Sequence, residues 1–222
     1  MEKKTEEIVV DCDLLLILDS NGKYIREDRL SRDIIANKVW GPTLEIAIKT
    51  LEKAEFKRIP SSILINVGLN DMDTSTIETT KSNYNKLHNL LRRIAPESTI
   101  HYNSIILRRD KKFTNEIKDI NMFLDEFADI NTKTKFINNS NIENSNKMMV
   151  DTKHLSKAGF YIFITNIKYA LFGYLPKFTQ RHTQDRRSGG KFRPRGHNNN
   201  FRRGNGNHNI DNNEYEYNVH RH

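Results

Sequence analysis

Cys12 is the only cysteine in the chain, so no intrachain disulfide can form, which fits a reducing compartment. Long apolar runs are scarce as well. The N-terminal MEKKTEEIVVDCD is charged, and Asp11 and Asp13 break up its apolar stretches. It has neither the uninterrupted apolar region nor the small-residue cleavage site of a secretory signal. The best candidate for a membrane span, residues 160–174, is short and carries Asn166 and Lys168, so no span is expected. These absences lead to the expectation of an intracellular protein of the cytoplasm, with the nucleus left open. Also missing are a Cys/His/carboxylate set at metal-ligand spacing, a GxSxG elbow, a P-loop, a GxGxxG after a strand and a repeat of fixed period. Neither a metal nor a cofactor is expected.

What the chain does have falls into two parts. Its 222 residues suffice for one sizeable α/β domain plus an appendage. Hydrophobic residues make up 36% and the mean hydropathy is −0.73, polar for a compact domain, but that average mixes unlike regions. Residues 177–222 hold ten Lys or Arg against four Asp or Glu, a net of +6 out of the whole chain's +8, so residues 1–176 are nearly neutral. The expected organisation is a domain over 1–176 and a tail over 177–222. The tail, which contains RRSGGKFRPRGHNNNFRRGNGNHN, is rich in Arg, Gly and Asn and almost free of aliphatic residues. It cannot bury enough apolar surface to offset its ordering entropy and is expected to be disordered. Arg186, Arg187, Lys191, Arg193, Arg195, Arg202 and Arg203, interleaved with Phe192 and Phe201, suit contact with single-stranded RNA or DNA by backbone tracking and base stacking. The plainer alternative is a solubilising appendage without a partner.

Within the domain, apolar runs cut off by turn-formers alternate with helical spacing. Residues 14–18, LLLIL, stop at Asp19-Ser20-Asn21-Gly22, the pattern of a buried strand ending in a loop. Residues 24–32 are charge-rich and read as a short helix with loop. Thr43 is placed to cap a helix bearing Leu44, Ala47, Ile48 and Leu51. Residues 62–67 read as a second strand, ending at Gly68-Leu69-Asn70-Asp71. Thr74 or Ser75 is the expected cap of a helix with Ile77, Tyr84, Leu87, Leu91 and Ile94 on one face, stopped by Pro96. A strand over 99–107, a helix over 115–127, a short strand over 134–137, an Asn-rich loop over 138–146 and a helix over 156–174 follow. Alternating strands and helices imply βαβ units and an α/β fold with a mainly parallel sheet covered on both faces.

Ligands of such sheets bind at the carboxyl ends of the strands, and three clusters fall there: Asp19-Ser20-Asn21, Gly68-Leu69-Asn70-Asp71 and Asp151-Thr152-Lys153-His154. Acyl transfer would use them directly. Ser20 would attack an ester carbonyl, and His154 would take the hydroxyl proton and later return it to the leaving alcohol. Asp151, three residues earlier, would hold the other imidazole nitrogen. The Asn70 amide and the backbone N–H groups of Ser20 and Gly41 would receive the oxyanion. Each residue also has a plainer reading: a turn serine, an Asx-turn asparagine, a helix-capping Asp151 with a surface His154, and a Gly41 that only permits a tight turn. Trp40 is expected in the core, Arg108 and Arg109 as a solvated pair, and His88, His101 and Cys12 as structural residues.

The order Ser20, Gly41, Gly68-x-Asn70-Asp71 and Asp151-x-x-His154-Leu155 resembles the four blocks of the SGNH (GDSL-type) hydrolases. That resemblance implies a three-layer α/β/α sandwich with a flavodoxin-like sheet. It implies esterase or deacetylase activity on an ester-bearing small molecule, glycan or lipid, without a cofactor. Asp19, Gly68 and Asp71 would support the motifs. Leu18 stands where the family has the glycine of GDS, where it would narrow the approach to Ser20, and Thr152 replaces the glycine of DGxH. More narrowly, LDSNGKYI, INVGLNDMDT, SIILRRDK with Asn115 and Asn121, and DTKHLSKAGF resemble esterase-like domains of mobile elements and related viral or metazoan reading frames, including the first reading frame of LINE retrotransposons. The resemblance spans residues 13–171. A catalytically weak domain serving a nucleic-acid-binding protein is the alternative it leaves open.

Overall fold

A computed structural model of the chain describes residues 8–142 and 145–173. They belong to the first of two units into which the chain divides, Met1–Thr183. The expected domain boundary, the disordered tail and all seven of its candidate nucleic-acid-binding residues lie outside the described residues.

Among the described residues seven strands and four α-helices follow one another: β1 (Val9–Val10), β2 (Leu14–Leu18), β3 (Ala36–Trp40), α1 (Leu44–Glu52), β4 (Glu55–Phe56), β5 (Ser62–Asn66), α2 (Ile77–Ile94), β6 (Thr99–Asn103), α3 (Thr114–Ile130), β7 (Thr134–Ile137) and α4 (Lys157–Phe172). Five strands make an all-parallel sheet in the order β3-β2-β5-β6-β7, and β1 pairs with β4 in a separate parallel ribbon. Counted within the sheet, the order is 2-1-3-4-5, the flavodoxin-like arrangement, whose binding crevice opens where the order reverses, between β2 and β5.

The five-residue run of β2 is buried at every position because both faces are covered. Its side chains alternate. Leu15 and Ile17 join Ile63, Ile65, Ile100 and Tyr102 under α1, α2 and α3, while Leu14, Leu16 and Leu18 join Leu64 and Ile137 under Phe163 and Ile167 of α4. Ile25 and Leu30, from the segment after β2, complete the second layer. The result is a three-layer α/β/α sandwich, as the sequence implied.

The structure departs from the sequence reading in several places. β3 is an edge strand with intermediate or exposed positions around buried Val39, so its polar Asn37 and Lys38 hide the strand pattern. Trp40 is half exposed, at 50%, and not in the core. Residues 24–32 hold only a 3₁₀ turn at Glu27–Arg29. The cap of α2 is Thr76, whose hydroxyl accepts the Thr79 N–H at 3.2 Å, because a 3₁₀ turn at Asp71–Asp73 occupies the residues before it. β6 stops at Asn103; beyond it the Asn121 carboxamide takes both backbone groups of Ile105, each at 2.8 Å, in place of a neighbouring strand. Cys12, His88 and His101 are buried. Burial raises the Cys12 thiol and lowers both histidines to about 4.

Candidate active site

The chain leaves β2 through Asp19 into a 3₁₀ turn over Ser20–Gly22. Asp19 caps this turn: its Oδ1 accepts the Asn21 N–H at 3.0 Å and the Asn66 amide at 2.9 Å. Ser20 thus stands at the carboxyl end of the sheet's second strand on a turn fixed by a buried carboxylate. Burial raises the Asp19 carboxyl to about 7, against the opposing pull of the Asn21 and Gly22 amides. Leu18 turns into the α4-side core and is 1% exposed. It packs so closely on Gly22 that a Cβ there would sit 2.8 Å from its own. It therefore does not narrow the approach to Ser20, contrary to the expectation from sequence.

His154 arrives from a different element. Residues 149–155 close on themselves, with Met149 bridging Leu155 antiparallel and the Val150 N–H donating to the His154 carbonyl at 2.9 Å. At the tip, Asp151 Oδ1 accepts the N–H groups of Lys153 and His154, both at 2.7 Å, while Oδ2 lies 2.7 Å from His154 Nδ1. Asp151 is not a helix cap: α4 is capped by Ser156, whose hydroxyl accepts the Gly159 N–H. Partial burial raises the Asp151 carboxyl, but the Lys153 amide and His154 outweigh it and the net shift is downward. His154 Nε2 lies 3.2 Å from Ser20 Oγ. The structure therefore brings Ser20, His154 and Asp151 into one hydrogen-bonded line across 134 residues of sequence.

Asn21 does what the sequence reading missed. Its Nδ2 donates to the Lys153 carbonyl at 3.2 Å and its Oδ1 accepts the Leu155 N–H at 3.3 Å, so one buried side chain brackets His154 on both sides. Further ties hold the same loop. The Arg109 N–H donates to the Thr152 carbonyl at 3.0 Å, and Lys153 forms an ion pair with Asp73. Arg108 is 5% exposed and grips Asp110 at 2.6 Å and Asp73 at 3.3 Å, so Arg108 and Arg109 are not a solvated pair.

The expected oxyanion donors fare differently. The Gly41 N–H donates to the Leu18 carbonyl at 3.0 Å as the last rung between β2 and β3. Gly41 is required instead by space, since a Cβ there would lie 2.6 Å from that of Ala47 at the start of α1. Asn70 donates through Nδ2 to the Pro42 carbonyl at 2.9 Å, which leaves the second hydrogen of that amide. Gly68 has φ +133° and a Cβ would collide with the Tyr84 hydroxyl, so both conformation and space call for glycine. Asp71 is buried and accepts the Leu44 N–H with both oxygens at 3.2 Å, holding α1 to the strand end; burial raises its carboxyl to about 6. Among the described residues no group of three or more metal-ligating side chains occurs, and no helix is long and apolar enough to cross a membrane.

No family profile and no curated protein matches the sequence. Solved structures match in fold. A Streptococcus pneumonia protein provisionally named a platelet activating factor superposes with a TM-score of 0.65 at 18% identity, over 73% of this chain and 85% of that one. A carbohydrate esterase of family 3 from Talaromyces cellulolyticus gives 0.60 at 13% identity, over 75% and 97%. A GDSL-like lipase from Bacteroides thetaiotaomicron gives 0.57 at 18%, over 76% and 89%. At these identities the likeness is one of architecture: the chain has the fold of the GDSL-type, or SGNH, hydrolases.

Proposed function

We propose that this chain is a serine ester hydrolase of SGNH type, with Ser20 as nucleophile, His154 as general base and acid, and Asp151 as the group that orients and stabilises the imidazole. The observation that carries the reading is the hydrogen-bonded line from Ser20 Oγ to His154 Nε2 at 3.2 Å and from His154 Nδ1 to Asp151 Oδ2 at 2.7 Å. As Oγ adds to the carbonyl carbon of an O-acyl ester, His154 takes its proton and the carbonyl π pair moves to oxygen. That oxyanion meets the Ser20 N–H and the remaining hydrogen of the Asn70 amide. Collapse expels the alcohol oxygen, which receives the proton from His154, and the acyl group stays on Ser20. Water then repeats the sequence, with His154 as base, and releases the acid.

The test is hydrolysis of p-nitrophenyl acetate together with labelling by a fluorophosphonate. Ser20→Ala is expected to abolish both while thermal unfolding is unchanged. Undiminished hydrolysis by that variant would overturn the assignment. The likeness to mobile-element esterase-like domains and the composition of the tail support a further part of the proposal, that residues 177–222 bind single-stranded nucleic acid. Gel shifts at low and high salt, comparing the full chain with one ending at Pro176, test it, and equal binding by the two would exclude the tail.

A further inference from the structure

A chain of asparagine carboxamides runs along the carboxyl ends of the strands, away from the triad and toward α4. Asn166 Nδ2 donates to Asn139 Oδ1 at 2.9 Å, Asn139 Nδ2 to Asn103 Oδ1 at 2.7 Å, Asn103 Nδ2 to Asn66 Oδ1 at 2.8 Å, and Asn66 Nδ2 to Asp19 Oδ1 at 2.9 Å. The direction has a physical cause. An ionised Asp19 can only accept, so Asn66 must offer its N–H₂ side, which leaves its oxygen to receive Asn103, and so on outward. Every amide dipole therefore points its positive end at Asp19, and each bond polarises the next. Asn66, Asn103 and Asn139 are buried, and the space left beside Asp19, Asn66 and Asn103 is about 10 Å³, room for a single water. From Asp19 the connection continues through the Asn21 N–H, and the Asn21 side chain holds Lys153 and Leu155 on either side of His154.

We propose that Asn66, Asn103 and Asn139, anchored on α4 by Asn166, are positioning residues that set the Asp19 carboxylate, and through Asn21 the placement of His154 against Ser20. The proposal deepens the ester-hydrolase reading and rests on it for its kinetic consequence, but its structural content can be measured without catalysis. The titratable groups facing Asp19 are His154 from the 149–155 loop, Asp71 from the turn after β5, and Tyr84 from α2.

The informative variant is Asn103→Asp in the full chain. It keeps the shape, and its ionised carboxylate cannot donate to Asn66, so it breaks the one-way order. At pH 8 we expect kcat for p-nitrophenyl acetate to fall tenfold or more with KM within twofold. We also expect the amide hydrogens of Asn21 and Leu155 to exchange at least tenfold faster by NMR, with unfolding still cooperative. Should that variant not fold, Asn166→Ala at the half-buried end is expected to give the same two changes at two- to threefold. A folded variant of either kind with wild-type exchange at Asn21 and Leu155 overturns the proposal. If the wild-type protein hydrolyses no ester and takes no fluorophosphonate, the hydrolase reading fails, and the exchange rates alone decide the positioning role.

Discussion

The two halves of the site are built differently. The half that carries Ser20, the proposed nucleophile, is part of the sheet: Asp19 and Asn21 are 3% and 6% exposed, and the turn they form continues directly from β2. The half that carries His154, the proposed base, is a loop outside the sheet, with the side chains of His154 and Asp151 45% and 52% exposed. The first half is fastened from within the sheet, by strand packing and by the Asp19 carboxylate that caps the turn. The second depends on discrete tethers: the Asp151 carboxylate inside the loop, Asn21 beneath it, Lys153 to Asp73 and Arg109 to Thr152. Rigidity at one end and tethering at the other predict that single substitutions act unequally, according to which tether they cut.

The largest effect is expected from Asp151→Asn. It removes the charge that supports the imidazolium and disturbs both the ring contact and the loop turn, so kcat/KM should drop roughly 10³- to 10⁴-fold. Steady-state kinetics that show less than a tenfold loss would mean that the loop orients His154 without its carboxylate. Next comes Asn21→Ala. It frees both flanks of His154 and leaves a part-buried carbonyl and a buried N–H without their partner, which costs about 1–3 kcal/mol in urea unfolding, with a fall in kcat of about 10- to 100-fold. A loss of stability without a loss of rate would separate the bracket from the chemistry.

Asp19→Asn probes the embedded half by pH. Burial holds the folded-state carboxyl at about 7 against an ordinary 3.8. Between those values the folded protein binds the extra proton, so this group lowers stability progressively as pH rises from about 4 to about 7. Asp71, raised to about 6, acts the same way. His88 and His101, lowered to about 4 from 6.5, act in the opposite sense, favouring the fold as pH rises to about 6.5. The difference between variant and parent isolates Asp19: the Tm of Asp19→Asn should gain on the parent from pH 4 to pH 7 and then level off. A gap that stays constant across that range would place the titration elsewhere. The smallest effect is expected from Lys153→Met, since partly exposed ion pairs contribute about 0–1 kcal/mol. Rates should change less than about threefold, and a larger change would make that tether the dominant one.

Much of this was legible in sequence for one reason: strand ends announce themselves. LLLIL before Asp19 and SILIN before Gly68 mark buried strands and the turns that follow, and α-helical spacing located all four helices to within a few residues at their ends. The same logic marked Ser20, whereas Asp151 and His154 lie in the loop between β7 and α4 and not at a strand end, and were marked by their spacing before a helix and by the resemblance. What stayed hidden depends on pairing across the fold. Arg108 is buried by Asp73, 35 residues away, and no local pattern signals that. β3 looks polar because an edge strand has only one protected side. The N–H of Gly41 is taken by the sheet ladder, a fact of register that no motif records. The asparagine chain did leave a trace, since the segments SILIN, TIHYN and FINN each end their apolar run on an asparagine, but only the strand order makes them neighbours.

The separation of 134 positions between Ser20 and His154 carries a consequence for how the molecule comes into being. Every strand of the large sheet precedes the imidazole in the chain, and closing so long a loop is entropically demanding, as it is for the Lys168 ammonium on the Arg29 carbonyl, 139 positions apart. A ribosome that has not yet released residue 155 holds a chain that has every strand of the sheet but lacks the imidazole of the proposed triad. If Ser20 is the nucleophile proposed above, its covalent capture by an active-site probe is expected to lag behind the burial of tyrosines such as Tyr84 and Tyr102 in a refolding experiment.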